Sequence, residues 1–252
     1  MNVYAIYFSP TNSTEKIVKL IANEFGNCQE FDLSKRENNV PPTFKEEDLC
    51  VIGVPSWGGR VPSAALERMN EFQGSNAKAI PVVSYGNRAY EDTLRELAEI
   101  VENRGFHCVA AVAAIAEHSI MHQFAAGRPD ESDQKELAQF SKKILDKINS
   151  GAACEKLNVP GNFPYREYKG IPLKPKAGRK CTNCGLCAKS CPVGAIPEDT
   201  PKKTDKNLCI SCMRCIHICP NHARNISFLM VKIASLKMKA ACTERKKNEL
   251  FI

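Results

Sequence analysis

Long apolar runs are missing from this chain. The longest, 108–116, is stopped by His107 and Glu117, and a membrane-spanning helix needs about 20 such residues. A signal peptide is missing as well: the start is not basic, and Val3, Ala5 and Phe8 already read as a strand. The expected location is therefore the cytoplasm. No Gly-Lys phosphate loop and no G-x-G-x-x-G fingerprint occurs, which argues against Walker-type and nicotinamide sites. No Ser-His-Asp set or carboxylate pair stands out, so nothing marks hydrolytic chemistry. The C-terminal stretch is basic but interleaves no aromatics with its lysines, so nucleic acid is not expected as a partner.

What the chain has in excess is cysteine, 13 in 252 residues. Disulfides do not persist in a reducing cytoplasm, so metal is the first explanation to try. Charge and cysteine are both unevenly spread. Residues 1–155 carry 16 Lys+Arg against 22 Asp+Glu and four cysteines; residues 156–252 carry 19 against 6 and nine cysteines. Two different modules are joined: an expected first domain over 1–150, an extended Pro- and Gly-rich linker over 151–179, a cysteine-rich domain over 180–227 and a basic helix or tail over 228–252. Phe163, Tyr165 and Tyr168 are the linker residues expected to wrap onto a domain surface.

The first module alternates strand and helix patterns. Strands are expected over 2–8, 29–33, 49–54, 77–84 and 106–115, and helices over 14–25, 62–72, 90–103 and 130–148. Five strands separated by helices predict an α/β domain with a parallel sheet covered on both faces, doubly wound. Ligands of such sheets collect outside the carboxyl ends of the strands. The 228–247 pattern reads as a basic helix, with Ile233, Leu236 and Ala240 on the face expected to pack it.

The cysteine-rich module is an internal repeat. Cys181, Cys184, Cys187 and Cys191 recur 28 residues later as Cys209, Cys212, Cys215 and Cys219, with Pro192 and Pro220 following. Each half reads C-x2-C-x2-C-x3-C-P. A four-Cys zinc site uses two C-x2-C pairs, and a third Cys at that spacing would be surplus. The pattern resembles bacterial two-cluster ferredoxins, small α+β domains whose fourth Cys serves the other cluster. That resemblance implies two [4Fe–4S] clusters, one on Cys181, Cys184, Cys187 and Cys219, the other on Cys209, Cys212, Cys215 and Cys191. The halves differ: Gly185 and Gly194 become Met213 and His222, and the second loop is bulkier, with Ile210, Ile216 and Ile218. Bulk excludes water and lowers a cluster's potential, while Arg214 and His217 act in the opposite direction. Cys28, Cys50 and Cys108 lie in strand patterns and read as small buried hydrophobes. Cys154 and Cys242 read as surface positions with nothing nearby to make them reactive.

Three loops of the first module carry a second signal. After the first strand comes Ser9-Pro10-Thr11-Asn12-Ser13-Thr14, with hydroxyls at a helix start, a natural anion site. After the third comes Pro55-Ser56-Trp57-Gly58-Gly59-Arg60. After the fourth comes Ser84-Tyr85-Gly86-Asn87-Arg88-Ala89-Tyr90. A simple helix cap at Ser13 or Thr14, and a core or lid role for Trp57, are the plainer readings. The first loop is similar to the flavodoxin phosphate loop, with Asn12 in place of its glycine. Asn tolerates left-handed backbone better than most residues.

Taken together, the chain resembles the fused flavodoxin–ferredoxin proteins of anaerobic microbes over nearly its whole length. The resemblance implies a flavodoxin-like sheet in order 2-1-3-4-5 and FMN held by Ser9, Thr11, Asn12, Ser13, Thr14, Pro55, Ser56, Trp57, Gly58, Gly59, Tyr85, Gly86, Asn87, Arg88 and Tyr90. The segments 117–119 and 127–130 resemble the same family's stretch that closes over the flavin. The expected function is an electron-transfer protein relaying electrons between FMN, two clusters and external redox partners, acidic ones fitting the basic tail. An enzyme reading is a flavin-dependent reductase using His118, Arg88, Tyr85 and Arg128, with Glu117 as proton donor. A third reading is a redox-sensing interaction protein. The acidic first module is expected to dock against the basic second one. Oligomeric state is left open.

Overall fold

A computed structural model describes residues 1–36, 42–151 and 157–252. The expectations for Cys154 and for the beginning of the linker lie outside the described residues.

The first module begins β1 (Val3–Tyr7), α1 (Ser13–Ala22), β2 (Cys28–Asp32) and β3 (Leu49–Pro55). It continues α2 (Ser63–Met69), β4 (Lys78–Tyr85), α3 (Thr93–Asn103), β5 (His107–Cys108), β6 (Ala111–Ile115) and α4 (Glu131–Ser150). Strands β2, β1, β3, β4 and then β5/β6 lie side by side and parallel. The expected order 2-1-3-4-5 is thus present, with the fifth strand in two pieces. Pro81 accounts for the break. In the middle of β4 it has no N–H to offer, and it lies on the same side as the Ala79 carbonyl, which the Val109 amide meets at 3.0 Å. The partner strand carries one extra residue there: Ala79 faces Cys108, but Val82 faces Val112. A proline inside a sheet is tolerated at such a bulge.

Each face of the sheet is buried. Tyr4, Ile6 and Phe8 point with Cys50, Ile52 and Val54 into one layer; Val3, Ala5 and Tyr7 point into the other, against Ile17, Val18 and Ile21 of α1 and Leu137 and Ile144 of α4. Gly53 is required because a Cβ there would run into the Val18 and Thr14 side chains where α1 crosses the sheet. Helix α4 starts with a capping box between Asp130 and Asp133.

The second module holds a two-stranded antiparallel ribbon, β7 (Lys176–Ala177) with β8 (Arg224–Asn225), and two one-turn helices, α5 (Leu186–Lys189) and α6 (Arg214–His217). After it come α7 (Phe228–Thr243) and β9 (Glu249–Phe251). Strand β9 returns to the first module and pairs antiparallel with β6, covering what would be a bare sheet edge. The sheet therefore has seven strands, two more than the five expected: one from the break at Pro81 and one from the chain's last residues. Asn248 fixes the return, accepting from the Ile115 amide at 2.8 Å and donating to Glu136 at 2.6 Å.

Three expectations change. Cys28 is half-buried rather than buried, unlike Cys50 and Cys108. Helix α7 packs through Val231, Ala234, Met238 and Cys242, while Ile233 and Leu236 face outward. Its apolar residues occupy two faces, and pattern alone does not say which one is covered. Cys242 is buried rather than at the surface.

The acid-to-base docking expected is present in part: Arg245 lies 2.8 Å from Asp130 of the first module, and Arg166 pairs with Glu91. Beside the cysteine-rich domain the contacts are of another kind. Arg68 of the first donates to the carbonyls of Leu33 and, at 2.6 Å, Pro192. Arg36 lies 3.4 Å from the Ala188 carbonyl and 4.0 Å from Glu198. The acidic module thus contributes cations to this seam, and backbone carbonyls accept them. No described helix is long and apolar enough to cross a membrane.

Candidate functional site

The loops after β1, β3 and β4 converge at the carboxyl end of the sheet on a cavity of about 280 Å³, near the lower end of the ~300–1,000 Å³ usual for small-molecule sites. Ten of the fifteen residues expected at the flavin line it: Thr11, Ser13, Thr14, Pro55, Ser56, Trp57, Gly58, Tyr85, Gly86 and Arg88. Asn12, just before α1, takes left-handed backbone at φ 64°, so the turn survives the replacement of glycine. Ser9 stands behind the loop: its hydroxyl accepts from the Glu15 amide at 2.9 Å and its amide donates to Ser34. Thr14 and Ser84 hydroxyls bond at 2.7 Å across two of the loops.

The second loop is a tight turn with Gly58 and Gly59 at positive φ. It is held by buried Glu96, which accepts from Arg60 at 2.6 and 2.9 Å and from the Val61 amide at 2.8 Å. Trp57 packs edge-on against Phe8 and borders the cavity. Gly58 and Gly86 are contact positions: a Cβ would strike the rings of Tyr168 and His118, respectively.

The other expected residues do not line the cavity. Ser9 and Asn12 shape the first turn from behind. Gly59 is covered by Glu91 and Arg166. Asn87 is buried, donating to the carbonyls of Cys242 and Glu244 at 2.8 and 2.7 Å. Tyr90 packs edge-on against Tyr85 and donates to Glu249 at 3.1 Å. Asn87 and Tyr90 hold the returning C-terminal segment, a role invisible before β9 was placed.

Of the residues named for the enzyme reading, Glu117, His118, Tyr85 and Arg88 border the cavity. His118 Nδ1 accepts from the Ile120 and Met121 amides at 3.1 and 3.2 Å, which puts its proton on Nε2. Burial, aided by the nearby charges of His122 and Arg88, depresses its pKa to about 4, so the ring is neutral near pH 7. Glu117 accepts from the Gly127 amide at 2.8 Å and lies 2.6 Å from His122 Nδ1. These bonds hold its carboxyl below the usual range against burial, which removes it as a proton donor. Arg128 lies elsewhere, paired with buried Asp133 and donating to the Lys246 carbonyl.

Sequence reasoning missed most of the remaining lining: Tyr168, Ile171 and Leu173 from the irregular 157–175 stretch, Ile210 and Ser211, and Ala234 and Met238 of α7. The aromatic at 168 was the one local signal. Around the linker's wrap, Tyr165 donates to Glu99, and the Arg60 guanidinium lies 5.2 Å over its ring. Phe163 is exposed.

The eight repeat cysteines fall into two groups around two small cavities. Cys181, Cys184, Cys187 and Cys219 line one; Cys191, Cys209, Cys212 and Cys215 line the other. Each group takes three thiols from one half and the fourth from its partner. Among the described residues no three such groups converge on a single-ion site; a four-iron cube takes one thiolate per iron and asks for no common point. The Ala195 amide donates to Cys191 Sγ and the Ala223 amide to Cys219 Sγ, both at 3.3 Å. For Cys219, burial raises the thiol pKa, but amide bonds and the Arg224 charge bring it below the ordinary value. Cys212 borders both the second cysteine cavity and the large one.

Comparison with known proteins gives two family matches: the family described as Flavodoxin over residues 6–139 and the 4Fe-4S dicluster domain over residues 180–224. No curated protein matches the chain. Among solved structures, it is similar to the rubredoxin:oxygen oxidoreductase of the anaerobe Desulfovibrio gigas, with a TM-score of 0.44 and 15% identity over 60% of this chain. The chain covers only 37% of that protein. It is also similar to the flavodoxin of Streptococcus pneumoniae TIGR4, at a TM-score of 0.42 and 14% identity over 58% of this chain and 99% of the other. Flavodoxin 1 of Bacillus cereus gives 0.41 and 16% over 58% and 98%.

Proposed function

The chain belongs to the flavodoxin family and joins that domain to a 4Fe-4S dicluster domain, and from this premise we propose that it relays electrons between FMN and two [4Fe–4S] clusters, and to or from external redox partners. The observation that carries the reading is Cys212, a thiol of the inner cysteine group that is also part of the wall of the large cavity at the carboxyl end of the sheet. A carrier of this kind needs its two types of centre close to each other, and Ile210-Ser211-Cys212 is one short segment shared by both walls.

The residues fit the groups. Hydroxyls of Thr11, Ser13 and Thr14 at the start of α1 would take the phosphate, and the two loops around Trp57 and Gly86 would hold the ring. When bound, the clusters supply single-electron steps and the flavin one- or two-electron steps. Tyr168, Ala234 and Met238 add apolar surface to the cavity wall. Buried Tyr85, its pKa raised to about 12 by burial and then by Glu249, stays a neutral phenol beside it. The reduced thiols suit the cytoplasm, where we place the protein.

Material purified without oxygen should contain about eight irons and one FMN per chain. Four irons, or no flavin, would overturn the reading. A second reading, a flavin-dependent reductase, draws on neutral His118 at the cavity wall. Steady turnover of a quinone or nitro acceptor, lost in His118→Ala, would favour it over the carrier.

A further inference from the structure

Helix α7 has one face buried and one uncovered. Val231, Ala234, Met238 and Cys242 pack it onto the body, and Ala234 and Met238 border the large cavity. On the opposite side Leu229, Ile233, Leu236 and Ala240 are all exposed, Leu229 by 65% and Leu236 by 66%. Their spacing is four, three, four. At 100° per residue these four fall within an arc of about 60°. Phe228 and Met230, 81% and 41% exposed, widen the apolar surface at the first turn, but from Val231 onward Lys232, Lys237 and Lys239 flank this stripe. A helix that lies in a membrane surface presents an apolar face of ~100° or more along its length, whereas a stripe of this spacing between lysines is the seam of a helix pair. The flanks support the same partner. With Leu229 and Leu236 at d and Ile233 and Ala240 at a, positions e and g are Met230, Lys232, Lys237 and Lys239, and 228–243 contains no Asp or Glu.

We propose that this outer face of α7 docks an acidic amphipathic helix of another protein, with apolar residues along its seam and Glu or Asp facing Lys232, Lys237 and Lys239. Charge complementarity selects that partner and disfavours a second copy, since self-pairing would set lysines against lysines. The docking itself stands apart from the cofactor reading. Its consequence rests on that reading: a partner seated here would be about one helix diameter, ~10 Å, from the flavin cavity.

The test uses the full chain, purified without oxygen, and a labelled synthetic helix of three heptads with Leu at a and d and Glu at e and g, followed by fluorescence anisotropy near physiological salt. A matched helix with Lys at e and g is the control. The Glu helix should bind at least roughly tenfold tighter than the Lys helix, about 1.4 kcal/mol. The Lys232→Glu/Lys239→Glu double variant should reverse that preference, and Leu229→Asn/Leu236→Asn should abolish binding of both. Circular dichroism and iron content of the variants confirm that the fold is kept. Equal binding of the two helices, or none, overturns the proposal. So does capture by vesicles of phosphatidylcholine and phosphatidylserine without helix binding, which assigns the face to a membrane. A dimer of the free chain dispersed by Leu229→Asn/Leu236→Asn assigns it to a second copy and likewise overturns it. Anisotropy reads docking whether or not iron and flavin assays return the expected inventory, so the two readings fail separately.

Discussion

The two cysteine loops are one backbone carrying two different sets of side chains. Positions 28 apart share left-handed conformations: Asn183 and Ser211 at φ 59° and 57°, Gly185 and Met213 at 75° and 64°, Gly194 and His222 at 66° and 46°. The amide-to-sulfur bonds repeat as well, at the same 3.3 Å. What differs is the surroundings. In the first loop Cys184 and Leu186 are exposed. In the second, Met213 is 3% exposed and lines the inner cysteine cavity, while Ile210, Ser211 and Cys212 wall the flavin cavity. Thiol spacing thus dictates the path of the chain, and the intervening residues decide which site is wet and which is dry. A non-glycine residue such as Met213 in left-handed backbone costs about 1–2 kcal/mol. It is offset by burying the side chain, about 1.5–3 kcal/mol.

The most severe way to break the pair is to remove one thiol from each. Cys184→Ser and Cys212→Ser should each lower iron from about eight to about four per chain. Only Cys212→Ser should also disconnect the flavin, seen as loss of rapid flavin reduction after a one-electron reductant is mixed in. Equal effects of the two variants on the flavin would erase the distinction between an outer and an inner loop.

The next effect concerns the dry side. His118 borders the same cavity as Cys212, and its folded pKa of about 4 lies below the ordinary 6.5. Above pH 6.5 both folded and unfolded states hold it neutral. Between 6.5 and 4 only the unfolded chain takes up the proton, so stability is lost as pH falls through that window, by roughly 3 kcal/mol at most. Denaturation of His118→Gln should show a correspondingly shallower acid slope than the parent between those values. Parallel slopes would mean that the ring is open to water and the inner side is not dry.

Exchanging the repeat-related residues is milder. Met213→Gly relieves the backbone but empties part of the inner cavity and should destabilise by about 1–2 kcal/mol net, with the inner cluster's potential moving upward as water enters. Gly185→Met meets no atom within 4 Å, so only the left-handed strain remains, again about 1–2 kcal/mol, with no shift in potential. A potential that moves in Gly185→Met and stays in Met213→Gly would invert the assignment of the loops.

These contrasts also show what could be read beforehand. The grouping of the thiols came from the resemblance to two-cluster ferredoxins, whose fourth Cys serves the other cluster; the structure lines each of two small cavities with three thiols of one half and one of the other. The parallel sheet was legible because five apolar segments alternate with helical ones. The break at Pro81 was legible in principle, since a central proline needs a bulge opposite it. Residues 249–251 carry no strand pattern of their own; their pairing with β6 depends on Asn248 and Asn87, which are distant in sequence. For the same reason Asn87 and Tyr90 were placed at the flavin: a Gly-containing loop announces a turn, but not which side chains point inward. Tyr168, Ile171 and Leu173 lie in a stretch with no period, where position comes from contacts alone. The left-handed Ser211, Met213 and His222 show only when the halves are aligned on Asn183, Gly185 and Gly194.

The smallest expected effect separates the loops by how they meet the first module. An acidic module docking on a basic one implies a joint weakened by salt within the ~8–10 Å screening length of ordinary buffers. The contacts at the first loop are of another kind. Arg68 donates to the carbonyls of Leu33 and Pro192, and among the described residues of this loop the Arg36–Glu198 pair, 4.0 Å apart with both groups partly exposed, is the one ionic on both sides; the Arg245–Asp130 and Arg166–Glu91 pairs elsewhere between the modules are partly exposed too. Such exposed pairs contribute about 0–1 kcal/mol. Raising salt from about 0.05 to 0.5 M should therefore change the rate of electron equilibration between clusters and flavin by less than about twofold, and Arg36→Ala should behave similarly. The second loop is held instead by the linker: Lys174 donates to the Cys209 carbonyl, and the Ser211 hydroxyl donates to that of Ile171 at 3.3 Å. A steep fall in rate with salt would mean that the modules separate and re-dock in solution, and then the wall that Cys212 shares with the flavin cavity would exist only part of the time.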